Sequence, residues 1–240
     1  MKIFNNQRST SMANKNIKKY FKYALGEIIL VVIGILIAVG INNWNQQRQL
    51  NSANVELRRN VIKQLEKDIL EIKKYESDLD TLQNHYLHFL DKEHDKNKLK
   101  PGDIVGTLLF KLNKMDSDTH LIEMIDNATL NESKASEKLL NLNSVYKLYL
   151  DEIKSVEELI FSTITDNLKE IERTQHWYAD FITDLVCNDD CYEYLKNDTL
   201  HKARMASLRF LYVNGYGEII SALKNDLINY KLDLVTLGDE

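Results

Sequence analysis

The sequence predicts an all-α protein: a single N-terminal transmembrane helix followed by an elongated antiparallel helical bundle with long coiled-coil-like helices. Three observations lead there. Residues 28–41, IILVVIGILIAVGI, form one uninterrupted apolar run. Breakers are scarce: Pro101 is the single proline in 240 residues, and of the eight glycines Gly26, Gly34 and Gly40 belong to the apolar segment, whereas a β-sandwich of this length needs many Gly and Pro turns. Beyond the run, apolar residues recur in alternating steps of three and four along two stretches, the pattern of helices with one sticky face.

The first element is the membrane helix, residues 23–44. From Tyr23 to Trp44 it extends about 33 Å at 1.5 Å per residue, enough for a hydrocarbon core of roughly 30 Å. Its flanks set the direction, because Lys and Arg are retained on the cytoplasmic side while acids contribute little to the choice. Lys2, Arg8, Lys15, Lys18, Lys19 and Lys22 precede it with no acid among them, and the nearest charges beyond it are Arg48, Glu56, Arg58 and Arg59. Residues 1–22 are therefore expected to be a basic cytoplasmic N-terminus, and residues 45–240 an exported helical domain. In a Gram-negative cell this is a single-pass inner-membrane protein with a periplasmic domain.

Ala38-Val39-Gly40 also satisfies the small-x-small rule of a cleaved signal peptide. The long basic segment, Glu27 at the mouth of the apolar run and Trp44 at the interface favour a retained anchor instead. Glu27 lies one turn inside the basic flank, where its carboxylate reaches headgroups or Lys22 and Tyr23 rather than the bilayer centre, where a charge costs several kcal/mol. Gly34 and Ala38 form a small-xxx-small pair on one helix face, which permits weak homodimerisation through the span.

The block GEIILVVIGILIAVGINNWN, Gly26 to Asn45, resembles the signature of an uncharacterised flavobacterial family of small single-span membrane proteins. The resemblance implies a short basic N-terminus, one span and a helical exported region. It brings no activity, ligand or catalytic residue with it.

In the exported part, positions 61, 65, 68, 72, 75, 79, 82, 86 and 89 alternate by four and three and carry Val61, Leu65, Asp68, Ile72, Tyr75, Leu79, Leu82, Tyr86 and Phe89. Only Asp68 departs from an apolar or aromatic stripe, and this long helix is free to continue directly from the span. Residues 104–115 and 120–127 read as short helices. A second stripe follows at Leu139, Leu142, Tyr146, Tyr149, Ile153, Val156, Ile160, Ile164, Leu168 and Ile171. After a loop over 187–197, residues 200–213 and 216–237 supply two more helices, separated by the breakers Gly215-Tyr216-Gly217.

Charge narrows the partners. From residue 46 onward 25 Lys and Arg face 35 Asp and Glu, so nucleic acid is not an expected partner. The expected partners are the lipid bilayer and another envelope protein.

Cys187 and Cys191 are disulfide candidates, since an exported domain meets an oxidising compartment. A redox-active pair is disfavoured because the spacing is not Cys-x-x-Cys and Asp189 and Asp190 would raise the thiol pKa. His85, His88, Asp91 and His94 recur every three residues, but steps of three drift by about 60° each on an α-helix, so at most two neighbours share a ligand geometry. No metal site and no cofactor is expected. The expected function is a membrane-anchored module of the cell envelope that binds a partner protein or ligand without catalysis. The alternative is an envelope enzyme with a site built from scattered residues such as His176, Glu172 and Asp180.

Overall fold

A computed structural model describes residues 5–90, 108–116, 118–184 and 186–237, with side chains from residue 21 onward. Among the described residues no strand occurs. In chain order the elements are α1 (Asn5–Phe89), α2 (His120–Asp126), α3 (Lys134–Thr174), α4 (Tyr178–Asp184), α5 (Asp189–Asn197), α6 (Thr199–Phe210), a π-helical segment (Leu211–Tyr216) and α7 (Gly217–Thr236). The chain divides into two compact units, Met1–Ala53 and Asn54–Glu240.

The first unit is the N-terminal stretch of α1. It contains a helical segment long and apolar enough to cross a membrane, with a mean hydropathy of 2.8 over its most apolar 18 residues and none of that window buried. Every side chain from 21 to 49 is exposed. The Arg48 guanidinium lies 5.9 Å from the centroid of the Trp44 ring, within cation–π range.

The second unit is built on three helical rods sharing one core. On α1, Val61, Leu65, Ile72, Tyr75, Leu82 and Tyr86 are buried, with Leu79 and Phe89 packed at the edge. Leu139, Leu142, Tyr146, Ile153, Ile160, Ile164 and Ile171 of α3 face them, and Tyr216, Ile220, Leu223, Leu227 and Leu234 fill the remaining side at the same three-and-four spacing. Cross-links between rods give their directions. Asn54 meets Ser136 and Asp68 meets Tyr146, so α1 and α3 run in the same direction. Glu76 pairs with Lys224, Glu66 with Lys231, and Arg58 donates to the Leu237 carbonyl, so α7 is antiparallel to α1. Lys138 with Asp233 and Tyr149 with Asp226 make it antiparallel to α3 as well. The antiparallel partner of both long stripes is thus the last helix.

Side-chain caps fix the starts of the later helices. Ser133, Asn188 and Asp198 each accept a bond from the backbone N–H three residues on, at Ser136, Cys191 and His201, which satisfies a donor that the first helical turn leaves open. The Asn188 cap, with Asp189 and Asp190 in the first turn, explains a departure from the sequence reading: most of the expected 187–197 loop is helix α5, whose Cys191 and Leu195 are buried. Helix α4, also unforeseen, is a short turn that buries Phe181.

Two further expectations change. Of the short helix expected over 104–115, residues 104–107 lie outside the described residues and 108–110 are helical, but 111–116 are not. Nor do Gly215 and Gly217 interrupt the last helices. The backbone passes through the π-helical segment and keeps right-handed helical angles at Gly217. A Cβ at Gly217 would lie 2.8 Å from Leu79 Cδ2 and 3.2 Å from the Tyr212 carbonyl oxygen. Glycine serves there for close approach to α1, not as a helix stop.

Candidate functional site

A polar network in the second unit holds residues 111–116 against the rods. Tyr75 on α1 donates its hydroxyl to the Asn113 carbonyl at 3.0 Å. The Asn113 amide donates back to the Tyr212 hydroxyl at 3.0 Å, and the Met115 amide donates to the Tyr216 hydroxyl at 2.9 Å. Tyr216 in turn donates to a Glu157 carboxylate oxygen on α3. The rings of Tyr75 and Tyr216 meet edge to face with centroids 5.5 Å apart. Two tyrosines on the π-helical segment and one on α1 therefore serve as backbone partners for a stretch of chain with no helical bonds of its own. Left unpaired, those buried amides would each cost about 1–3 kcal/mol, which is why 111–116 can dispense with helix.

Burial pushes all three hydroxyls up from the ordinary tyrosine range, that of Tyr212 to about 12. Hydroxyls so displaced stay neutral at physiological pH and are poorly suited to general-base chemistry. The cluster is a mechanical clamp.

A second polar centre lies beside the first. Asp68 is 4% exposed. It accepts from the Tyr146 hydroxyl at 3.2 Å and from Gln64 Nε2 at 2.8 Å. Burial pushes its carboxyl up to about 6, against these two hydrogen bonds and with help from Asp118 and Glu71. Met115, Asp116 and Asp118 line a small cavity with it. Further along α1 a 380 Å³ cavity opens between it and residues 111–114, lined among others by Tyr75, Asp78, His85 and Lys111.

A third centre is aromatic. His201 is fully buried, between Phe89 at 5.4 Å and Tyr194 at 5.2 Å, and neither ring nitrogen has a hydrogen-bond partner among the described residues. Burial pulls its imidazole down to about 4, Arg204 adding to the shift and Asp198 opposing it.

The residues singled out by sequence fall as follows. Cys187 and Cys191 are joined as a disulfide with Cα atoms 5.3 Å apart, Cys191 fully buried. Glu27, Gly34, Ala38 and Trp44 are exposed on α1, and nothing lies within 4 Å of where a Gly34 Cβ would be. Among the described residues no group of three or more His, Cys, Asp or Glu side chains is placed to hold a metal. Of the four-residue run considered as ligands, His85 and His88 lie on α1, whereas Asp91 and His94 lie outside the described residues. His176 meets Asp190 at 3.2 Å, both largely in solvent, beside a 390 Å³ cavity that Trp177 and Tyr194 also line. Glu172 and Asp180 are exposed and do not line that cavity.

Of the clamp tyrosines only Tyr75 stood on a stripe in the sequence, while Tyr216 sat among the breakers and Tyr212 inside an expected helix, and an aromatic ring says nothing about where its hydroxyl points. Asp68 was visible as the one acid on an otherwise apolar stripe. No family model, curated protein or solved structure matches the chain.

Proposed function

We propose that this is a membrane-anchored helical module of the bacterial cell envelope, with residues 1–22 in the cytoplasm and the second unit in the periplasm, that binds an envelope protein or ligand without catalysis. The observation that carries the reading is a division of labour between the two units. One exposes an apolar helix with nothing packed on it, while the other spends its buried hydroxyls and carboxylates on holding its own chain. The N-terminal basic excess supports the orientation, and the block from Gly26 to Asn45 supports kinship with the flavobacterial single-span proteins. The cavity beside residues 111–114 offers a concavity for a small ligand.

Alkaline phosphatase fused after Glu240 tests the placement. It is expected to be active, and a fusion active only as a cytoplasmic reporter would reverse the orientation. Crosslinking in intact envelopes followed by pull-down of the full chain tests the binding role, with a specific envelope protein as the expected product. The enzyme alternative has the His176–Asp190 contact in its favour, and a hydrolytic activity lost in His176→Ala would establish it.

A further inference from the structure

Asp68 sits where α1, α3 and the clamped chain meet. The charged and titratable groups around it are Lys67 and Glu71 on α1, Tyr146 from α3, and Asp116 and Asp118 from the crossing chain, with His120 in electrostatic range of Asp118. Lys67 is the cation of this group, and its ammonium is 3.2 Å from Asp118 and 3.8 Å from Glu71, so it serves the other carboxylates. Asp68 is thus a buried carboxyl among acids, and a charge so placed is costly unless neutralised or exposed to water. Met115 is 6% exposed, lines the same small cavity, and has its amide tied to Tyr216. Met115 and Asp116 thus belong to the cover over Asp68.

We propose that Asp68 is a proton-operated latch: with its proton on, the 111–116 chain lies closed over α1 and α3, and loss of that proton to solvent drives the chain to open.

The direction follows from linkage. In the closed form the carboxyl holds its proton up to about pH 6, whereas a solvated aspartate releases it near 3.8. The proton therefore binds the closed form more tightly and favours it. That advantage is complete below about pH 4 and lost as the pH rises through 6. A difference of about two pH units limits the change in the opening equilibrium to on the order of 100-fold. The clamp transmits the event, because Asn113 and Met115 carry the three tyrosine bonds that opening must break.

Amide hydrogen exchange on the full chain in lipid nanodiscs tests this, with rates at 111–116 normalised to their intrinsic values at each pH. Protection there is expected to fall about tenfold between pH 5 and pH 7.5 in the native protein and to stay level in Asp68→Asn. Protection that does not change with pH in the native protein, or that falls equally in Asp68→Asn, overturns the proposal. Should Asp68→Asn fail to fold, Asp118→Asn is the second probe. Removing a neighbouring negative charge moves the loss of protection to lower pH, and a midpoint that stays or rises overturns the latch.

Discussion

Tyr216 bonds two structural elements through one oxygen: its hydroxyl accepts from the Met115 amide at 2.9 Å while donating to Glu157 on α3. Its ring also packs edge to face on Tyr75 of α1. Tyr216→Phe keeps the ring and strands both partners, one a buried amide. The expected loss is about 1–3 kcal/mol of unfolding free energy. Denaturant titration of the detergent-solubilised protein measures it. Because Tyr212 holds the same short chain, Tyr212→Phe added to Tyr216→Phe is expected to cost less than the two single losses together.

Asp68 and His201 make opposite contributions to pH dependence. The Asp68 carboxyl is raised to about 6, so its contribution to stability is complete below about 3.8 and lost as pH climbs through 6. The His201 imidazole is lowered to about 4, so its contribution is complete above 6.5 and lost as pH falls through 4. Asp68→Asn is therefore expected to raise the melting temperature at pH 8 and to expose a steeper acid loss. His201→Phe, which places an apolar ring between Phe89 and Tyr194, is expected to remove that acid loss. Melting curves from pH 4 to 8 decide both, and a fall on acidification unchanged in His201→Phe would refute the second.

The Cys187–Cys191 bond closes a short loop, which removes little unfolded-state entropy, about 2 kcal/mol or less. The Asn188 cap holds the start of α5 independently, its side chain accepting from the Cys191 amide at 2.9 Å. A double Cys→Ser variant is expected to fold with a slightly lower melting point. Mass spectrometry without reductant is expected to find the bond intact in the native protein, and two freely alkylated thiols would count against it.

The stripe from Val61 to Tyr86 is already covered within one chain by α3 and α7. Residues 46–240 alone are therefore expected to sediment as a monomer at micromolar concentration, with weak association confined to the full chain through the Gly34 and Ala38 face. Leu79→Asp in the same fragment places a charge against the core edge where α1 meets Gly217, and is expected to cost about 2–4 kcal/mol.

The helical class and both long stripes were legible because a seven-residue rhythm over many turns overwhelms local exceptions. The weaker signals misled where a polar group decides the outcome. Asn188 turns an expected loop into α5, and the hydroxyls of Tyr212 and Tyr216 release 111–116 from helix. Gly217 resembles a terminator in one dimension, and only the position of Leu79 shows it to be a contact point. The clamp was hidden for a related reason: each tyrosine hydroxyl in it meets a backbone group of residues 113 or 115, which no side-chain pattern records.

The packing of α7 against both other rods has a consequence for how the chain reaches this state. Lys224 finds Glu76 across 148 residues and Leu237 finds Arg58 across 179. Contacts of such high order form slowly, since a long loop must close before they bring any gain. Until α7 emerges from the ribosome, the first halves of the α1 and α3 stripes lack the antiparallel helix that covers them, and an incomplete chain presents two sticky faces to its neighbours. Termination before Gly217 then removes the helix that closes the core over residues 58–76 of α1 and 138–149 of α3.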